Sequence, residues 1–155
     1  MCEEFTLPNG LRVVLRVDKR VPLVHTTLCL AAGCRCEQEH NNGIGTLMAE
    51  CMLKGTPTYS AGELADAVEG LGGSISCSAG NNSLAIKTRA LSEDALTMLA
   101  LLADTALHPT FPAEAAERHA AFMAEHAAQY KGGNGADAAD AIELRPEGST
   151  TQLVI

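Results

Sequence analysis

Hydrophobic positions change period several times along the chain, and each change marks an element. From Glu4 to Val17 two short extended runs flank Pro8-Asn9-Gly10, a turn sequence. In the second run Leu11, Val13, Leu15 and Val17 alternate with Arg12, Val14 and Arg16. Period two is the pattern of a strand with one buried face, so a hairpin or the start of a meander is expected here. A longer strand, rich in Val, Thr and Leu, follows from about Leu23 to Ala32, and "GCRCEQEHNNG" after it reads as loop.

The period then shifts to that of a helix. In "GIGTLMAECMLKGT", Gly43 to Thr56, the residues Ile44, Leu47, Met48, Cys51 and Met52 form the core stripe of an amphipathic helix. That stripe puts Thr46, Ala49 and Glu50 together on the opposite face. Ser60 and Glu63 make a capping box ahead of Leu64, Ala67, Val68 and Leu71, so a second helix starts there and stops at Gly72-Gly73. Ile75, Cys77 and Ala79 alternate with serines, and after Gly80-Asn81-Asn82 a second alternating run carries Leu84, Ile86 and Thr88, which together predict a β-hairpin. Ser92 can cap a third helix ending before His108-Pro109, and a fourth, Ala-rich helix runs from about Pro112 to Tyr130. This order of elements predicts an α+β domain over residues 1–130, with helices on one face of a largely antiparallel sheet. Residues 131–155 read as a Gly-rich break and a short tail with at most one strand.

Composition narrows the function classes. With 46% hydrophobic and 19% charged residues the chain is not disordered throughout, and with 3% aromatics its core must be built from Ala, Leu, Val, Ile and Met. A net charge of −8 argues against a nucleic-acid partner, because binding phosphates needs clustered Lys and Arg. No apolar run is long enough to cross a bilayer, and "MCEEFTLPNG" has neither the basic nor the apolar region of a secretory leader, so no membrane partner and a cytoplasmic location are expected. The six cysteines, at 2, 29, 34, 36, 51 and 77, are scattered and read as reduced.

Four segments in order, "LPNGLRVVL" (7–15), "GIGTLMAECMLKGTPTYS" (43–60), "LADAVEGLGGSIS" (64–76) and "LALLADTALHPTFP" (99–112), resemble consecutive landmarks of the insulinase, pitrilysin and mitochondrial processing peptidase family of zinc proteases. The resemblance covers roughly residues 4–128, the first part of one domain of that family. It implies an inverted zinc motif, H-x-x-E-H, on a helix, with a distant Glu as third ligand. Two imidazoles one turn apart converge on Zn²⁺, whose bound water the intervening Glu deprotonates.

Here the resemblance places those motif positions on Thr46, Ala49 and Glu50, and the third ligand on Glu125. Both imidazoles and the base are missing, and only Glu125 matches in type. No catalytic residue and no metal are therefore expected, and no cofactor, although zinc serves the resembled family. The remaining donors, Thr46, Glu50 and Glu125, are oxygens that suit Mg²⁺ or Ca²⁺ better than zinc. Arg118, two turns before Glu125, either bridges Glu50 and Glu125 or pairs with Glu114 in solvent.

Other candidates are weaker. Cys34, Cys36 and His40 fall short of the four ligands and the spacing of structural zinc sites. His25, His108, His119 and His126 have no nucleophile at a motif spacing, and "LGGS" at 71–74 ends a helix instead of opening one. The resemblance implies a degenerate, non-catalytic homologue that binds unfolded peptide along a sheet edge, or completes a chamber beside an active family subunit or a second copy of itself. The alternatives are a structural module without peptide binding and a fragment of a longer peptidase-family protein. An open strand edge near a cleft favours peptide binding, and an edge covered by "IELRPEGSTTQLVI" favours the structural module.

Overall fold

The computed structural model describes residues 2–38, 41–130 and 152–154. The chain opens with β1 (Cys2–Thr6) and β2 (Arg12–Arg16), paired antiparallel from Cys2↔Arg16 to Thr6↔Arg12. The turn between them closes through the Leu7 N–H donating to the Leu11 carbonyl at 2.8 Å, with Gly10 at φ +86° where a side chain would be strained. Then come β3 (Leu23–Ala31), a 3₁₀ turn (Cys34–Cys36), α1 (Ile44–Met52) and α2 (Ala61–Gly70). The hairpin β4 (Ser74–Ala79) and β5 (Ser83–Leu91) precedes α3 (Ala95–Leu107), α4 (Ala113–Tyr130) and β6 (Gln152–Val154).

The strands form one sheet in the order β1-β2-β6-β3-β5-β4, in which only β2 and β6 run parallel. The α+β architecture expected from the sequence is thus the one observed. Along β5, Leu84, Ile86, Thr88 and Ala90 are buried while Lys87, Arg89 and Leu91 are exposed, so a single face of the sheet carries the helices. Two apolar clusters sit between the layers. One joins Ala49 and Met52 of α1 to Leu84, Ile86 and Leu102, and the other joins Leu64 and Val68 of α2 to Ala90, Met98 and Leu101. Among the described residues no helix is long and apolar enough to cross a membrane.

Three local features refine the sequence reading. The capping box forms: Ser60 Oγ accepts from the Glu63 N–H at 3.4 Å, and Glu63 Oε2 accepts from the Ser60 N–H at 2.8 Å. Ser92, in contrast, does not cap the third helix. It opens a 3₁₀ turn (Ser92–Asp94) and its N–H donates to the Pro22 carbonyl, so α3 starts three residues later at Ala95. The stripe expected on α1 is also rotated. Gly45, Ala49, Cys51 and Met52 are buried, whereas Ile44 is 52% exposed. At Gly45 a Cβ would meet the Glu37 carboxylate at 2.8 Å and stand in ordinary contact with the Ala79 Cβ of β4 at 3.7 Å, so a residue without a side chain occupies the place where the helix start meets both the loop and the sheet.

A polar clamp fixes the connection from α1 to α2. Thr56, buried, accepts through Oγ1 from the N–H groups of Thr58 and Tyr59 at 3.2 and 3.1 Å, and Thr110 donates its N–H to the Gly55 carbonyl. The Asp104 carboxyl of α3 is held below its ordinary 3.8, chiefly by the Thr56 hydroxyl and, against some desolvation, by His108, whose Nδ1 lies 3.0 Å away. A carboxyl whose folded pKa is depressed stabilises the fold above its unfolded pKa and loses that contribution as pH falls through the folded value. Asp104→Asn is therefore expected to lower stability at pH 7, and its difference from wild type should shrink as pH drops below about 4. Urea denaturation of both proteins at pH 7 and pH 3 checks this, and a difference independent of pH would refute it.

Candidate functional site

α1 lies over β4, the last strand of the sheet, and its N-terminus meets α4. The helix starts at Gly43, held at φ +93°, and its first turn is capped from outside the helix. Glu37, in the loop after β3, accepts from the Gly43 N–H at 2.7 Å and from the Gly45 N–H at 2.8 Å. A carboxylate here satisfies two amides that have no intrahelical partner and complements the positive end of the helix dipole. The sequence reading missed this role. Glu37 stands six and eight residues before the amides it caps, so no capping-box spacing announces it; an acid preceding "GIG" is the one available signal.

The three motif positions do not share a face in the way the sequence predicts. Thr46 and Glu50 are exposed, but Ala49 is only 3% exposed and packs in the apolar cluster with Met52, Leu84, Ile86 and Leu102. Glu50 stands near β4. Burial pushes the Cys77 thiol of β4 up to about 11, and the Glu50 charge adds to that push, as it does at buried Cys51. Such thiols are poor nucleophiles and weak metal ligands at neutral pH. All six cysteines are free, with Cys77 Sγ 3.8 Å from Met52 Sδ.

α4 meets α1 through Met123, whose Cε would lie 3.1 Å from a Cβ at Gly43. Two residues further along a helix is about 200° around its axis, and Glu125 is accordingly exposed on the far side of α4 from that contact. Arg118 resolves to the solvent alternative: its guanidinium is 4.0 Å from Glu114 one turn back, with both side chains largely in water, and bridges no other carboxylate among the described residues. Of the loop set, Cys34 and Cys36 are exposed on the 3₁₀ turn, and His40 lies outside the described residues. Among the described residues no three His, Cys, Asp or Glu side chains gather as a metal site.

A zinc ion does not fit the residues present. At the three helix positions one side chain is a buried methyl, and the other two offer a hydroxyl and a single carboxylate, with no imidazole and no base. What the arrangement does offer is a strand edge. Among the described residues β4 pairs only with β5, and along it Ser74, Ser76 and Ser78 are exposed while Ile75, Cys77 and Ala79 turn toward the helices. Residues 152–154 lie in the middle of the sheet and leave the outer edge of β4 uncovered among the described residues.

Residues 12–133 match the insulinase family, peptidase family M16. Over 111 residues the chain is 32% identical to the uncharacterised zinc protease YmxG of Bacillus subtilis, a match covering 72% of this chain and 27% of that protein. Over 112 residues it is 30% identical to the alpha subunit of the mitochondrial-processing peptidase of Neurospora crassa, covering 72% and 19%. The fold is similar to the crystal structure of a peptidase M16 inactive domain from Pseudomonas fluorescens, with a TM-score of 0.74 and 23% identity over 84% of this chain and 32% of that one. The chain thus spans about a quarter or less of the length of these curated relatives.

Proposed function

Because the chain belongs to the insulinase family of peptidases, we propose that it is a non-catalytic member that holds unfolded peptide along the outer edge of β4, beside an active family subunit or a second copy of itself. The observation that carries this reading is the open edge of β4 lying under α1, where the family chemistry would stand but where Thr46, Ala49 and Glu50 supply neither imidazole nor base. An unpaired edge presents backbone N–H and C=O groups to an extended chain, which is the basis of binding by strand addition. The Neurospora relative is itself one subunit of a peptidase, and the Pseudomonas domain is described as inactive, which lends support to a partner role.

The test combines three measurements on the purified chain: zinc content, cleavage of a fluorogenic unfolded peptide, and amide exchange with and without that peptide. The expected result is no stoichiometric zinc, no cleavage, and slowed exchange over 74–79. Zinc at one per chain together with cleavage would overturn the non-catalytic reading. Unchanged exchange along β4 would favour the structural module.

A further inference from the structure

The outer edge of β4 has two sides, and the charges beside them are opposite in sign. On the helix side, α1 lies directly over the strand: a Cβ at Gly45 would stand 3.7 Å from the Ala79 Cβ, and Met52 Sδ lies 3.8 Å from Cys77 Sγ. Gly45, Ala49 and Met52 thus mark the direction in which the helix faces the sheet. Glu50 follows Ala49 by one residue, about 100° around the axis. The opposite flank of the helix is turned into the molecule, with Met48 against the apolar cluster and Cys51 buried. Glu50, and Thr46 one turn before it, therefore occupy the flank that overhangs the sheet edge, and both are exposed. The Glu50 charge is felt at the Cys77 thiol, and among the described residues Glu50 makes no ion pair.

On the helix-free side β4 presents only the hydroxyls of Ser74, Ser76 and Ser78, and cations stand behind them. Ser74 is opposite Arg89 and Ser76 is opposite Lys87 on β5. Directly opposite residues share a face, and the next members of these two rows, on β3, are His25 and Thr27, so neither row contains an acid as far as β3. Lys87 and Arg89 are exposed and form no ion pair among the described residues. A residue added to the edge opposite Ser76 would lie two strand spacings, roughly 10 Å, from Lys87, with only a short serine between them. Extended Lys and Glu side chains span that distance.

We propose that the β4 edge selects extended peptides by the alternation of their charges: a base on the helix side, opposite Cys77 and facing Glu50, next to an acid on the helix-free side, opposite Ser76 and facing Lys87. The proposal rests on the reading of this edge as a peptide site and adds what the peptide must carry. Successive residues of a strand point to opposite faces, so a base and an acid adjacent in sequence meet both fields at once. Backbone pairing supplies affinity without regard to sequence, and the two opposed fields supply selectivity. Net charge alone is not the criterion, since a protein of −8 would then favour any basic peptide.

The test uses the 155-residue protein and fluorescent ten-residue peptides with the core Thr-Glu-Lys-Glu-Thr or Glu-Thr-Lys-Thr-Glu. The two cores have the same composition and net charge, and each reads the same in both directions, so strand orientation does not enter. In the first, Lys and Glu project to opposite faces; in the second, they project to the same face. The first is expected to bind about fivefold more tightly, with exchange slowed over 74–79 and the preference fading in high salt. Glu50→Gln and Lys87→Ala, at exposed positions on opposite sides of the sheet, should each reduce the preference. Equal binding of the two peptides with protection of 74–79 overturns the proposal and leaves the edge as a peptide site. A preference that survives either substitution also overturns it. Unchanged exchange over 74–79 with both peptides overturns the proposal together with the reading of the edge on which it rests.

Discussion

Ala49→Glu is expected to destabilise the fold by about 3–5 kcal/mol at neutral pH, the range for an uncompensated buried charge. Ala49 is 3% exposed, and its neighbours Met52, Leu84, Ile86 and Leu102 offer neither a cation nor a hydrogen-bond donor. Four additional heavy atoms beyond the methyl also overpack the apolar cluster formed by Met52, Leu84, Ile86 and Leu102. Burial raises the pKa of such a glutamate above its unfolded value, so the ionised form carries the cost. The loss of stability should then be greatest above the folded pKa and smaller at pH 4.5 than at pH 8. Denaturation of the variant and wild type at both pH values measures it, and a loss under about 1 kcal/mol at pH 8 would contradict the buried placement. Thr46→His and Glu50→His, both exposed, should each stay within about 0.5 kcal/mol. Rebuilding the family motif would thus meet its obstacle at the base and not at the ligands.

Ile86→Ala should cost about 2–5 kcal/mol, the range for deleting a fully buried aliphatic side chain and leaving a cavity. Ile86 is 0% exposed at the centre of β5, between Leu28 on β3 and Cys77 on β4, and it touches the cluster that seats α1. Lys87, the next residue, points to the helix-free face, and Lys87→Ala should change stability by no more than about 0.5 kcal/mol. Urea midpoints of the two variants test the alternation directly. A similar loss at both positions would mean that the exposed face of the sheet is covered in solution.

The strands and helices were largely legible because their side chains differ sharply between faces. Along β5 the alternation of Leu84, Ile86 and Thr88 with Ala85, Lys87 and Arg89 is the packing itself, and the Ser60 and Glu63 box writes its own geometry in four residues. On α1 the same reasoning misjudged the rotation. Counting large apolar residues selected Ile44 and passed over Gly45 and Ala49, yet a helix pressed closely on a sheet turns its smallest residues inward. Glu37 was illegible because its partners are amides, which every residue carries, at a separation set by the loop. The junction of β2 with β3 could not be read from local pattern at all, since it is made by a three-residue strand more than a hundred residues away that inserts between them.

That insertion also orders the folding of the molecule in time. β3, β5 and β4 pair through neighbouring or moderately separated segments, whereas among the described residues β1 and β2 join the sheet only through β6, which follows β2 by well over a hundred residues. Closing so long a loop costs entropy before any contact repays it, so the pairing of β6 is the step that couples the first hairpin to the rest. β1 is exposed along its whole length and can add little driving force of its own. The first hairpin must therefore wait for a strand synthesised well over a hundred residues after it, leaving the β2 edge unpaired in the meantime, a period in which a chaperone or a neighbouring chain can engage it.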